Sequence, residues 1–134
     1  MEAITQRDTL AEFFDRYGAA LTAGDLTTIA GCYALPGMVV ADGYSFSFSS
    51  PAAVALSFLG AAPAYQEREL VAAHADITDV QRLSDGLVLA AVRWEYLDCR
   101  GAAVPGERYR YVVRLGRTAP QICVVLPGAA DLDP

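Results

Sequence analysis

The stretch Arg16-Tyr17-Gly18-Ala19-Ala20-Leu21-Thr22-Ala23-Gly24-Asp25-Leu26 constrains the fold more than any other, because one amphipathic helix stops in it and a second starts with no linker between. Gly24 can take the left-handed conformation that closes a helix. The carboxylate of Asp25 can accept hydrogen bonds from the free amides that open the next one. Upstream, Leu10, Phe13, Phe14, Tyr17, Ala20 and Leu21 recur at helical spacing after a Thr5-x-x-Asp8 start, so a first helix is expected from about Thr5 to Ala23. That spacing puts Tyr17 on the buried side. The second helix is expected to bury Leu26, Ile29, Ala30 and Tyr33 and to end before Pro36-Gly37.

Beyond this corner the pattern changes to hairpins. Met38 to Ala41 reads as a short strand, Asp42-Gly43 as a tight turn, and Tyr44-Ser45-Phe46-Ser47-Phe48 as a returning strand with one aromatic face. Ser50-Pro51 is an N-cap followed by a first-turn proline, so a third helix is expected from Pro51 to about Ala62, with Val54, Leu56, Phe58 and Leu59, stopped by Pro63. From Glu69 the period is two: Leu70 to Gln81, Leu87 to Asp98, Arg108 to Arg117 and Gln121 to Leu126 read as four strands of an antiparallel meander. Ser84-Asp85-Gly86 and the stretch Gly101 to Gly106 read as turns. The whole chain, 1–134, is read as one domain, with mobile termini expected at 1–4 and 127–134.

The strand faces are separable by parity. Val88, Ala90, Val92, Trp94 and Tyr96 share one side with Tyr109, Tyr111, Val113 and Leu115 of the next strand; Arg108, Arg110 and Arg114 share the other. An aromatic inner face and an arginine-rich outer face follow, with Trp94 beside Tyr109 or Tyr111 and Glu95 beside Arg108 or Arg110 in cross-strand ion pairs.

Sixteen acids stand against ten bases, all of them arginine, for a net charge of −6, which argues against a nucleic-acid or anionic-membrane partner. A hydrophobic fraction of 54% is high for a soluble monomer, yet no apolar run reaches the length of a membrane span, so a homodimer through the sheet is expected. The first eight residues lack an apolar signal core, which points to a cytoplasmic protein. Cys32, Cys99 and Cys123 are odd in number and widely spaced, and read as reduced thiols. No metal or cofactor motif stands out.

Two helices joined by Ala-Gly-Asp, a short hairpin, a third helix and a long meander form an order that resembles the nuclear-transport-factor-2-like superfamily. Arg16-Tyr17 with Ala19 to Leu26 looks most like its ketosteroid isomerase and SnoaL-like branches. The resemblance covers nearly the whole chain. It implies an α+β cystatin-like cone, with the helices and hairpin packed in the concave face of a curved antiparallel sheet and a pocket open at one end. It also implies that Tyr17 matches the tyrosine of an isomerase site, which further uses an aspartate base and a protonated carboxylic acid. Counted without gaps from Asp25, the family aspartate falls on Ala41. Asp42 comes one residue later, on the opposite strand face. No carboxyl group is expected at the inward positions Tyr109, Tyr111 and Val113.

The candidate catalytic residues are therefore Tyr17, Asp42 and His74, the last being the only histidine, with Asp76 two residues on and an outer-face position expected for both. Tyr17, Tyr33, Tyr44, Phe46, Phe58, Trp94, Tyr109 and Tyr111 could line a small-molecule pocket, or fill an aromatic core whose hydroxyls find backbone partners. The sequence favours a cofactor-free domain that binds a small apolar or aromatic molecule, or serves assembly, without chemistry of its own. The alternative is a proton-transfer enzyme of the isomerase, cyclase or dehydratase type acting on an apolar carbonyl substrate.

Overall fold

The corner is built as the residue types dictate. In the computed structural model, which describes residues 2–116 and 119–128, helix α1 (Glu2–Ala23) closes on Gly24 at φ 72°, where the Asp25 amide donates to the Ala20 carbonyl at 3.0 Å. Asp25 then caps α2 (Leu26–Gly31). One carboxylate oxygen accepts from the Thr28 amide at 3.2 Å and the other from the Thr28 hydroxyl at 2.7 Å. These bonds to Thr28 hold the Asp25 carboxyl below its usual pKa.

Among the described residues ten elements follow one another. After α1 and α2 come β1 (Tyr33–Val40), β2 (Ser45–Phe48), α3 (Pro51–Ser57), α4 (Ala61–Glu67), β3 (Leu70–Ser84), β4 (Leu87–Asp98), β5 (Ala103–Arg114) and β6 (Gln121–Pro127). One six-stranded sheet runs in the order β2-β1-β6-β5-β4-β3. The expected meander β3 to β6 is antiparallel throughout and the hairpin β1–β2 closes about Asp42-Gly43, whereas β1 joins β6 in parallel. The expected termini 1–4 and 127–134 fall partly outside the described residues, at 1 and 129–134, as does Arg117 at the end expected for the third meander strand.

The core is the contact of α1 with the inner sheet face. Leu10, Phe13, Phe14, Tyr17, Ala20 and Leu21 meet Val88, Ala90, Val92, Trp94, Tyr111 and Val113, all buried. Each large apolar side chain so placed contributes about 1.5–3 kcal/mol over leaving it in water. Gly18 lets the helix sit close: a Cβ there would stand 3.0 Å from both the Ala73 carbonyl and the Trp94 ring. Among the described residues no helix is long and apolar enough to cross a membrane.

Several local expectations are corrected. The second helix ends at Gly31, and Tyr33 opens a strand because its segment pairs with β6. Pro36, which has no amide to donate, falls where the β1–β6 register is interrupted between Tyr33 and Met38. The third helix is two short ones, and Pro63 stands in the first turn of α4, where a missing amide hydrogen costs nothing. Leu56 and Leu59 are therefore exposed. Val71 is exposed as well, since the β3–β4 register shifts between Leu70 and Ala72. Glu95 lies opposite Pro105 and not an arginine, because a register shift follows Arg93; the ion pair on that face joins Arg93 to Asp76 at 2.7 Å.

Candidate functional site

Four sheet strands and three helices bring their aromatic residues to one cavity of about 260 Å³. All seven tyrosines of the chain and its single tryptophan line it. The eight residues expected to bind a ligand are all in its wall: Tyr17 from α1, Tyr33 from β1, Tyr44 and Phe46 from the β2 hairpin, Phe58 from the end of α3, Trp94 from β4, and Tyr109 and Tyr111 from β5. Their common origin is the strand period of two combined with the helical position of Tyr17. Both directions of side-chain projection converge on the space between helix and sheet.

The inner end is built from phenols. The Tyr17 and Tyr33 hydroxyls are 2.7 Å apart, and either can be the donor. Trp94 Nε1 donates to the Tyr111 hydroxyl at 3.0 Å. Burial raises the Tyr17 phenol well above its ordinary pKa, with Tyr33 and Tyr111 beside it adding to the rise. Burial likewise raises Tyr111 and Tyr33. A phenolate in that medium lacks the water that would stabilise it, so these groups stay protonated at neutral pH and act as hydrogen-bond donors.

The outer end carries charge. Tyr96 donates to Glu107 Oε1 at 2.6 Å, while Arg68 Nη1 stands 3.9 Å from the other carboxylate oxygen and its guanidinium lies 5.4 Å from the Tyr96 ring centroid. Tyr65 packs on Tyr96 with ring centroids 5.5 Å apart. Burial first, then the bond to Glu107, push the Tyr96 phenol up. Tyr44 and Phe46 stack at 6.2 Å and are 59% and 43% exposed, so the rim of the cavity is itself aromatic.

Glu107, which the expected inward positions Tyr109, Tyr111 and Val113 did not include, brings a carboxyl group to the cavity wall. It lies two residues before Tyr109 and shares its parity, so the strand period pointed to it. The Gly/Pro content of Gly101 to Gly106 hid that signal by reading as a turn up to the preceding residue. In the structure the turn is short. Asp98 Oδ1 accepts from the amides of Arg100 and Ala102, both at 2.9 Å, and β5 begins at Ala103. Tyr65 was hidden in the same way by treating Pro63 as a helix stop.

Asp42 and His74 are not brought to Tyr17. Asp42 occupies the exposed tip of the β1–β2 hairpin. His74 lies on β3 with its side chain 66% exposed, its Nδ1 3.9 Å from an Asp15 carboxylate oxygen, and Asp76 is engaged by Arg93. Neither Asp42 nor His74 lines the cavity. The hydrogen-bond partner of the Tyr17 hydroxyl is a phenol and not a base. Among the described residues no group of three or more histidine, cysteine, aspartate or glutamate side chains could hold a metal ion.

The architecture recurs in solved structures. An NTF2-like protein with a cystatin-like fold from Novosphingobium aromaticivorans is similar at a TM-score of 0.67 and 14% identity, over 98% of this chain and 86% of that one. Aln2 from a Streptomyces species is similar at 0.69 and 13%, over 96% and 93%. The beta subunit of a putative aromatic-ring-hydroxylating dioxygenase from Novosphingobium aromaticivorans is similar at 0.63 and 12%, over 95% and 90%. At these identities the likeness is one of fold. No curated protein matches the chain in sequence. The family described as NTF2-like protein (DUF6841) matches residues 7–130, and the chain, an α+β cone built around one aromatic cavity, belongs to it.

Proposed function

We propose that this protein binds a small, flat, apolar or aromatic molecule in the tyrosine-lined cavity and performs no chemistry on it. One observation carries the reading: every tyrosine of the chain and its only tryptophan converge on a single space, while the Tyr17 hydroxyl is bonded to Tyr33 and not to a proton acceptor such as a carboxylate or imidazole. Apolar walls with a few well-placed polar groups are the usual make-up of a small-molecule site. A cavity of about 150 Å³ suffices for benzene, so about 260 Å³ suits one or two fused rings. The proton-transfer alternative needs a base beside the donor. Asp42 and His74 do not supply one.

The test uses Trp94 as its own reporter. Titrating the protein with naphthalene is expected to change the fluorescence of this single tryptophan saturably, and Val125→Phe, which narrows the cavity, is expected to weaken that response. A wild-type spectrum unaltered up to the solubility limit contradicts the reading.

A second reading, assembly, is favoured by the outer sheet face. Leu89, Val112, Val124 and Met38 are paired in register across β4, β5, β6 and β1, forming an apolar row on the side away from the helices. Beside it Arg110, between Ala91 and Leu126, holds a buried Nε without a hydrogen-bond partner. A second copy of the chain suits such a self-complementary row, and would bring an acceptor to Arg110. Sedimentation of the wild type is expected to give a dimer mass, and Val112→Asp a monomer mass with unchanged circular dichroism. A monomeric wild type contradicts it.

A further inference from the structure

We infer that the ligand of this cavity has an uncharged acceptor oxygen at its inner end and an O–H or N–H donor at its outer end, joined by a flat aromatic body. Tyr111 and the Tyr17–Tyr33 pair receive the first and Glu107 receives the second, so a hydroxyaryl ketone is the fitting chemical class. The inference rests on the cavity being a binding site and adds its polarity.

The inner donors follow from a count of protons. An indole N–H can only donate, so the bond from Trp94 Nε1 uses Tyr111 as an acceptor and leaves the Tyr111 proton unspent. Tyr17 and Tyr33 hold two protons and make one bond to each other, so one proton of that pair is also unspent. Two O–H groups therefore stand at the buried end with no acceptor given to them among the described residues, and an oxygen atom of a ligand is what such a pair lacks. The acceptor is uncharged because no cationic side chain lines the cavity to balance an anion, whose charge would be left buried against apolar walls.

The outer acceptor follows from geometry. Glu107, Tyr109 and Tyr111 sit on one face of β5 at alternate positions, running from an exposed carboxylate through a half-buried ring to a buried one. Four residues of strand separate the two ends, about 13 Å between α-carbons. That span suits a fused bicycle with an oxygen at each end and a hydrogen bond beyond each. Glu107 accepts from Tyr96 on one oxygen, with Arg68 near the other. A carboxylate has about four lone-pair sites, so room for a ligand donor is left.

The test is a matched series of four probes: 6-hydroxy-2-acetonaphthone, its methoxy ether without the outer donor, 2-naphthol without the inner acceptor, and naphthalene without either. The hydroxy ketone is expected to bind about tenfold more tightly than the ether or the naphthol. Glu107→Gln is expected to narrow the gap between hydroxy ketone and ether, and Tyr111→Phe the gap between hydroxy ketone and naphthol. Should Tyr111→Phe fail to fold with Trp94 left unpaired, the carbonyl stretch of the hydroxy ketone bound to wild-type protein decides the inner end. It is expected below its frequency in hexane. Equal binding of all four probes, or an unshifted carbonyl, overturns the polarity while leaving the binding site standing. Binding of none overturns both.

Discussion

Two buried phenols 2.7 Å apart, Tyr17 and Tyr33, can share only one hydrogen bond between them, and each loses its partner if the other is changed. Tyr17→Phe is therefore expected to cost about 1–2 kcal/mol, most of it from leaving the Tyr33 hydroxyl buried without that bond. The double variant Tyr17→Phe with Tyr33→Phe is expected to cost no more than the single one, since both polar groups are then gone. Urea unfolding checks this, and strictly additive losses contradict it. At this scale the helical spacing of Leu10, Phe13, Phe14 and Tyr17 was enough to put Tyr17 inside. Its partner was not legible, because Tyr33 was placed on a helix, and hydroxyl pairing depends on tertiary distances that no local pattern carries.

Among the elements, β5 does most to shape the site, and Gly106 sets its course. A Cβ at Gly106 would stand 2.7 Å from both the Trp94 carbonyl oxygen and Tyr96 Cε2, at the point where the β4–β5 register shifts. The extra residue there keeps Glu107 in line with Tyr109 and Tyr111 while Trp94 and Tyr96 hold the inner face of β4. Gly106→Ala is accordingly expected to lose about 1–3 kcal/mol through overpacking and to disturb the Tyr96–Glu107 bond. A denaturation midpoint equal to that of the wild type contradicts the close approach. Element types were legible where the period was long: α1, β3 and β4 stand where the apolar repeats put them. They were illegible where glycine and proline have two meanings. Pro63 opens a helix as readily as it stops one, and the glycines of 101–106 belong partly to a turn and partly to a bulged strand.

At the scale of the whole molecule, the α+β cone was legible from the order of its elements, whereas the parallel contact of β1 with β6 was not. That contact joins residues about ninety positions apart, such as Met38 and Val124, and depends on how the sheet curls and not on any one segment. It also brings Tyr33 and the β2 hairpin over the cavity, so the same pairing that escaped the sequence completes the site's wall. Asp42 and His74, both exposed, show the opposite case: chemically able residues that the fold leaves outside it. Ligand binding requires the cavity between α1 and the sheet to be open to a flat molecule. A crystal structure of the protein soaked with 6-hydroxy-2-acetonaphthone measures this most directly. The naphthalene rings are expected between Tyr33 and Tyr109, inside the ring of tyrosines. Side chains closed over the same space, with the probe absent or bound only to the outer sheet face, would contradict it.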